Sequence, residues 1–184
     1  MVGSGSAGRG AVDAGRDPVG VAREICLRQL TVRARSRAEL AATLRRRGVA
    51  DDVAQETLDR LTAVGLIDDD AFAAAVISSG RENKGLARQG LAAELRRRGV
   101  DDEVAASALA GLSGDEEATA RALAARRLRT MDGLERRVQL RRLVAMLGRK
   151  GYSTDLAVRV VTDLLGPGGD EAGDEAEADL ADDI

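Results

Sequence analysis

The chain has no histidine and no tryptophan, and Phe72 and Tyr152 are its only aromatic residues. Without histidine there is no imidazole to serve as general base and no His-based metal site. A single cysteine, Cys26, excludes an internal disulfide and fits a reducing compartment. Cys26 also falls within the apolar helical pattern Val21, Ile25, Cys26, Leu30, which makes it a core residue rather than a nucleophile. No stretch approaches the roughly 20 apolar residues of a membrane span. Met1 to Gly15 is rich in Gly and Ser and lacks the apolar segment of a signal peptide. A cytoplasmic protein that makes no membrane contact is expected. With 44% hydrophobic residues and almost no aromatics, the core must be built from Leu, Val and Ala, which suits thin helix pairs better than a thick globule.

What the chain does have is a repeat, clearest in KGLARQGLAAELRRRGVDDEVAASALAGL, Lys84 to Leu112. Leu91 and Leu95 lie four apart on one face of a helix, with Glu94 and Arg96 to Arg98 on its outer side and last turn. Gly99 stops that helix, because glycine takes the left-handed conformation that commonly ends one, and Val100 can pack back on the last turn. Asp101 then caps a second helix, and Asp102 and Glu103 put negative charge where its dipole favours it. The same series occurs 51 residues upstream, around Leu40, Leu44, Arg45-Arg46-Arg47-Gly48-Val49 and Asp51-Asp52-Val53. It returns in degenerate form 52 residues downstream, around Leu143, Leu147, Arg149-Lys150-Gly151-Tyr152 and Asp155-Leu156. A further helical stretch precedes each copy, with Val21, Phe72 and Ala124 in register.

The fold expected is therefore all-α, three tandem three-helix repeats forming an elongated, curved helical array. Its parts are a disordered Gly/Ser-rich N-terminus over 1–16, repeats over 17–66, 67–113 and 114–165, and a disordered acidic tail over 166–184. Helix one is predicted to begin near Pro18 and to run to about Ala34. Ser36 with Glu39, and Ser113 with Glu116, have capping-box spacing. In helix four the expected stripe is Phe72, Ala75, Val76 and Ser79, with Gly80 fraying the end. Helix eight, Leu134 to Lys150, is the longest and most basic, and Ser153 caps helix nine, which ends at Leu165.

The net charge of −3 conceals a segregation. Beyond Leu165 stand eight acids and no base, so the rest of the chain carries 28 bases against 23 acids, a net +5. An acidic tail beside a basic body solvates the protein or competes for the body's own anionic partner.

No catalytic constellation is present. The acids sit mainly at helix starts, where capping accounts for them, and Gly85 and Gly90 lack the lysine and hydroxyl that a phosphate-binding loop needs. An enzyme, a metal site and a cofactor are not expected. The basic clusters are the remaining candidates for function: Arg45, Arg46, Arg47, Arg96, Arg97, Arg98, Arg136, Arg137, Arg141, Arg142, Arg149 and Lys150. Cations at a helix C-terminus complement its dipole by about 0.3 to 1 kcal/mol each. That accounts for their position but not for their number, which makes a polyelectrolyte surface suited to an acidic partner. Contacts to nucleic acid would be mainly to phosphate, since two aromatics leave little on which unpaired bases could stack.

Four ordered blocks, ICLRQLTVRARSRAEL (Ile25 to Leu40), LDRLTAVGLIDDDAF (Leu58 to Phe72), Lys84 to Glu103, and LVAMLGRKGYSTDLAVRVV (Leu143 to Val161), together resemble the RecX family of bacterial regulatory proteins. The resemblance implies a body of three three-helix repeats that binds RecA filaments in their helical groove and suppresses ATP hydrolysis, strand exchange and repressor cleavage. It implies single- or double-stranded DNA as a further partner of some members; a monomer is expected. Similar sequences often carry an aromatic and arginines near the positions of Val76, Ser78 and Gly80, so a contact made from that helix is expected to be weaker here. The alternative to a RecA modulator is a nonspecific DNA-binding protein that works through phosphate contacts.

Overall fold

The computed structural model describes residues 17–112 and 114–166; among these the backbone forms nine α-helices and one π-helical turn, with no strand. In chain order they are α1 (Pro18–Val32), α2 (Arg37–Arg46), α3 (Asp51–Ala63), α4 (Asp69–Ser79), the π turn (Gly80–Lys84), α5 (Arg88–Arg97), α6 (Asp102–Ala110), α7 (Glu116–Leu128), α8 (Arg136–Arg149) and α9 (Thr154–Leu165). Three tandem sets of three helices are thus present, as the 51- and 52-residue offsets require. The expected disordered N-terminus and nearly all of the acidic tail lie outside the described residues.

The chain divides into two compact units. One takes the described residues up to Ile77 together with Ala92–Gly111, and the other takes Ser78–Leu91 together with the described residues from Leu112 onward. In the first, α1, α2 and α3 pack on one another around Ala22, Cys26, Leu40, Leu44, Leu58, Leu61 and Ile67. Each fully buried leucine contributes about 1.5 to 3 kcal/mol. In the second, α7, α8 and α9 enclose Ala120, Ala124, Leu143, Val144, Leu147, Val160 and Val161. Cys26 is fully buried and desolvation raises its thiol pKa, so it is packing material.

Local signals decide most boundaries. Asp17 accepts from the amide of Val19 with Pro18 opening α1, Asp101 accepts from Glu103 and Ser153 from Leu156. Several details depart from expectation. α1 stops at Val32 and α8 begins at Arg136, two residues inside their predicted ends. The cap of α7 is Asp115, whose carboxylate accepts from Ala118 at 3.1 Å, and not Ser113, which lies outside the described residues. Of the box at Ser36 only one half forms: Ser36 Oγ accepts from Glu39 N, while the Glu39 carboxylate turns to Arg33 and Arg35. In α4 the buried positions are Phe72, Ala73, Val76 and Ile77, whereas Ala75 and Ser79 are exposed. The helix is apolar on nearly every side, so spacing alone could not choose its inner face. Gly80 does not fray; it is buried, and a Cβ there would stand 2.5 Å from Leu91 Cδ2.

Candidate partner-binding surfaces

The corner between the second and third helix of each repeat holds the basic cluster, and its backbone is used in a repeated way. Within the first unit, Ser36 at the N-cap of α2 donates its hydroxyl to the carbonyl of Arg98 at 2.7 Å. Within the second, Ala87, 51 residues later and just before α5, donates its amide to the carbonyl of Lys150, 52 residues after Arg98, at 3.0 Å. The glycines that follow those carbonyls pack tightly. A Cβ on Gly99 would lie 2.5 Å from Ala38 Cβ, and one on Gly151 would lie 2.1 Å from the backbone nitrogen of Gly90. An acid completes each contact: Asp69 accepts from Arg37 N at 2.9 Å, and Glu116 accepts from Arg88 N at 2.7 Å. These carboxylates therefore serve the free first-turn amide of a neighbouring helix, where sequence reading gave them only the capping of their own helices.

Tyr152 locks the second of these contacts. Its side chain is buried and its hydroxyl donates to the carbonyl of Gly85 at 3.2 Å. Desolvation, and then the negative charge of Glu116, raise its pKa, against the opposing charge of Arg81. Lys150 donates beside it to the carbonyl of Lys84.

The twelve basic residues singled out from sequence separate into two groups. Arg97 and Arg98 pair with Glu94, a buried carboxylate three and four residues earlier, and the Arg98 guanidinium lies 5.9 Å from the centre of the Phe72 ring. Arg136 reaches the carbonyl of Leu165 at 2.8 Å, and Lys150 is committed as described. Arg46 makes only a local bond to Thr43 Oγ1 at 2.9 Å. Arg45, Arg47, Arg96, Arg137, Arg141, Arg142 and Arg149 are exposed and make no side-chain hydrogen bond or ion pair with a described residue.

Four of these seven share one face of α8. At 100° per residue, Arg137, Arg141, Arg142 and Arg149 fall within about 140° of the helix circumference, opposite Leu143 and Leu147, and span about 18 Å of its length. Sequence reasoning passed over Arg126 and Arg129 in and after the last turn of α7, which are also exposed. The signal was available: Ala122 and Ala125 stand four residues before them, whereas Arg121, with Glu117 at that spacing, is paired.

Comparison with known proteins places this architecture. Three family models, described as the first, second and third three-helix domains of RecX, match residues 22–61, 68–109 and 115–161. The chain belongs to the RecX family. Among curated RecX relatives it is 48% identical over 163 residues to the regulatory protein RecX of Streptomyces coelicolor, covering 88% of this chain and 85% of that one. It is 50% identical over 145 residues to that of Thermobifida fusca, covering 78% of each, and 51% identical over 142 residues to that of Mycobacterium marinum, covering 76% and 82%. The crystal structure of RecX from Lactobacillus salivarius shares the fold with a TM-score of 0.68 at 20% identity, over 80% of this chain and 96% of that one. Among the described residues no helix is long and apolar enough to cross a membrane.

Proposed function

We propose that the chain is a cytoplasmic, monomeric regulator that binds RecA filaments and lowers their ATPase, strand-exchange and coprotease activities, acting by binding and without catalysis of its own. The observation that carries this reading is the ordered match of all three RecX domains. The surface chemistry supports it, because seven arginines without partners among the described residues present charge that the fold does not consume. A nucleoprotein filament is acidic and extended, and separated basic contacts on successive repeats suit such a partner better than one deep pocket.

Titration of the protein into a RecA ATPase assay on single-stranded DNA tests the reading. Inhibition at fewer protein chains than RecA subunits is expected, whichever component is added first. Absence of inhibition at any ratio refutes it. A second reading, nonspecific binding to DNA phosphates, is favoured by the acid-free face of α8. Under that reading inhibition appears only when the added protein is sufficient to coat the DNA, and it falls steeply with salt.

A further inference from the structure

The corners of the middle and third repeats are both covered by the start of a helix from the preceding repeat. No described helix covers the corner of the first repeat, Arg45 to Val49. Beyond Gly48 and its two chain neighbours no described atom lies within 4 Å of where a Cβ on Gly48 would stand, and the Arg47 carbonyl accepts no hydrogen bond from a described residue. Gly48 has φ +76, beside +71 at Gly99 and +87 at Gly151, so the three corners share one backbone shape and differ in what covers them. The chain thus displays at its first corner the surface whose complement it shows twice elsewhere: a helix N-terminus with small residues in its first turn and a donor at its N-cap.

The charge at this corner differs from that at the other two. There, an acid at the start of the repeat's own first helix, Asp69 or Glu116, reaches the arriving helix, whose first residue is Arg37 or Arg88. In the first repeat the position 51 before Asp69 is Pro18, and Asp17, the acid at the start of α1, already accepts from Val19 N at 3.1 Å, while Arg45 and Arg47 stand exposed and without partners among the described residues. The arriving helix should therefore be acidic in its first turn, where its own dipole also favours negative charge. A second copy of this chain does not fit. The equivalent helix of its last repeat, α8, starts with Arg136-Arg137 and is 14 residues long against 10 in α2 and α5. Its extra turn carries Gln139, the counterpart of Ser36 and Ala87, inside the helix with its amide bonded to Glu135 O at 3.0 Å.

We infer that the Arg45–Val49 corner is a docking surface for the acidic first turn of an α-helix in a partner protein, which binds there as α2 and α5 bind the next corner along. This rests on the reading of the chain as a protein-binding regulator, and RecA filaments are the probe. Gly48→Asn is the discriminating variant, because asparagine tolerates positive φ and here would project into open space, yet it would obstruct a docked helix as a side chain at Gly99 or Gly151 would. Its melting temperature should fall by no more than alanine at this position would cost, a few degrees at most, and its affinity for RecA filaments should fall by about tenfold or more, the scale of one overpacked contact. Filament binding equal to the parent's overturns the inference and leaves the functional reading intact, whereas a parent that fails to bind filaments overturns both. Arg46→Cys gives a second readout that does not depend on the Asn variant folding, since the native Cys26 is buried. Alkylation at position 46 should slow when filaments are added, and an unchanged rate counts against docking at this corner.

Discussion

Alanine at Gly48, Gly99 and Gly151 separates the cost of a strained backbone from the cost of a lost junction. All three glycines hold left-handed φ of similar size. A Cβ in that conformation costs roughly 1 to 2 kcal/mol, partly offset by about 0.4 to 1 kcal/mol from the stiffer unfolded chain. Gly48→Ala should therefore lose about 1 kcal/mol, or about 2 to 4 °C in Tm for a chain of this size. Gly99→Ala adds a clash with Ala38 Cβ at 2.5 Å, an overpacking cost of about 1 to 3 kcal/mol beyond the strain. Gly151→Ala is the most severe, because the new Cβ meets backbone at three points, 2.1 Å from Gly90 N, 2.6 Å from Gly90 Cα and 3.0 Å from Gln89 C. Backbone cannot swing aside as a side chain can. The helix must move away, endangering the Ala87 to Lys150 and Tyr152 to Gly85 bonds at about 1 kcal/mol each, for a total of about 4 kcal/mol. Urea unfolding followed by circular dichroism gives the three losses. The expected order is Gly48 smallest and Gly151 largest, and equal losses would show that strain alone governs these corners and that the junction argument is wrong.

Tyr152→Phe should cost about 1 kcal/mol at neutral pH through the lost bond to Gly85. The tyrosine's pKa is raised above 10.0 in the fold, so its contribution is complete below that pH and is lost as pH climbs above it; the parent should weaken in alkali and the Phe variant should not, and parallel decline in both would contradict this. Replacing Arg137, Arg141, Arg142 and Arg149 together by Gln should leave stability within about 0.5 kcal/mol, since all four are exposed and make no side-chain bond to a described residue. For DNA the slope of log affinity against log salt should flatten by about 0.9 for each phosphate contact removed, and an unchanged slope would take this face out of binding. Deleting residues 167–184 should leave the melting temperature unchanged and tighten DNA binding at low salt if the eight acids compete for the basic surface; equal affinity at all salt concentrations would leave them a solubilising role.

Corner chemistry is local, which is why the repeats were legible. A left-handed glycine, the basic residues before it and the cap after it lie within a few positions of one another, and the offsets repeat them. The junctions were not legible, because their partners are about 30 to 67 residues apart. Asp69 and Glu116 look from sequence like acids that serve their own helix starts, and only the fold carries them to Arg37 N and Arg88 N. Gly80 and Gly90 look like weak points in helices, but they are sites of close approach to Leu91 and to the Lys150 backbone. Within the candidate surface, Glu94 at i−3 and i−4 from Arg97 and Arg98 was a local signal that those two are committed. The bond from Arg136 to the Leu165 carbonyl had no such signal.

The three positions of each basic cluster do different work, which bears on why arginines outnumber the needs of a helix dipole. The third position, Arg47, Arg98 or Lys150, precedes the glycine, and where a neighbour exists its carbonyl is the junction acceptor, so the fold constrains its backbone first. Arg98 is also constrained in its side chain, half-buried over Phe72 and paired with Glu94. The first position is Arg45, Arg96 or Gly148, and the glycine in the third repeat shows that a corner docks without a cation there. Arg45 and Arg96 are exposed and have no partner among the described residues, so neither the junction nor an ion pair accounts for them. A dipole contribution of a few tenths of a kcal/mol, screened by salt at an exposed site, is a weak reason to keep a cation at that position. Under the proposed function, charge available to a partner is the stronger reason, and it applies to the first position of the cluster and to the outer face of α8 more than to the triplets taken whole.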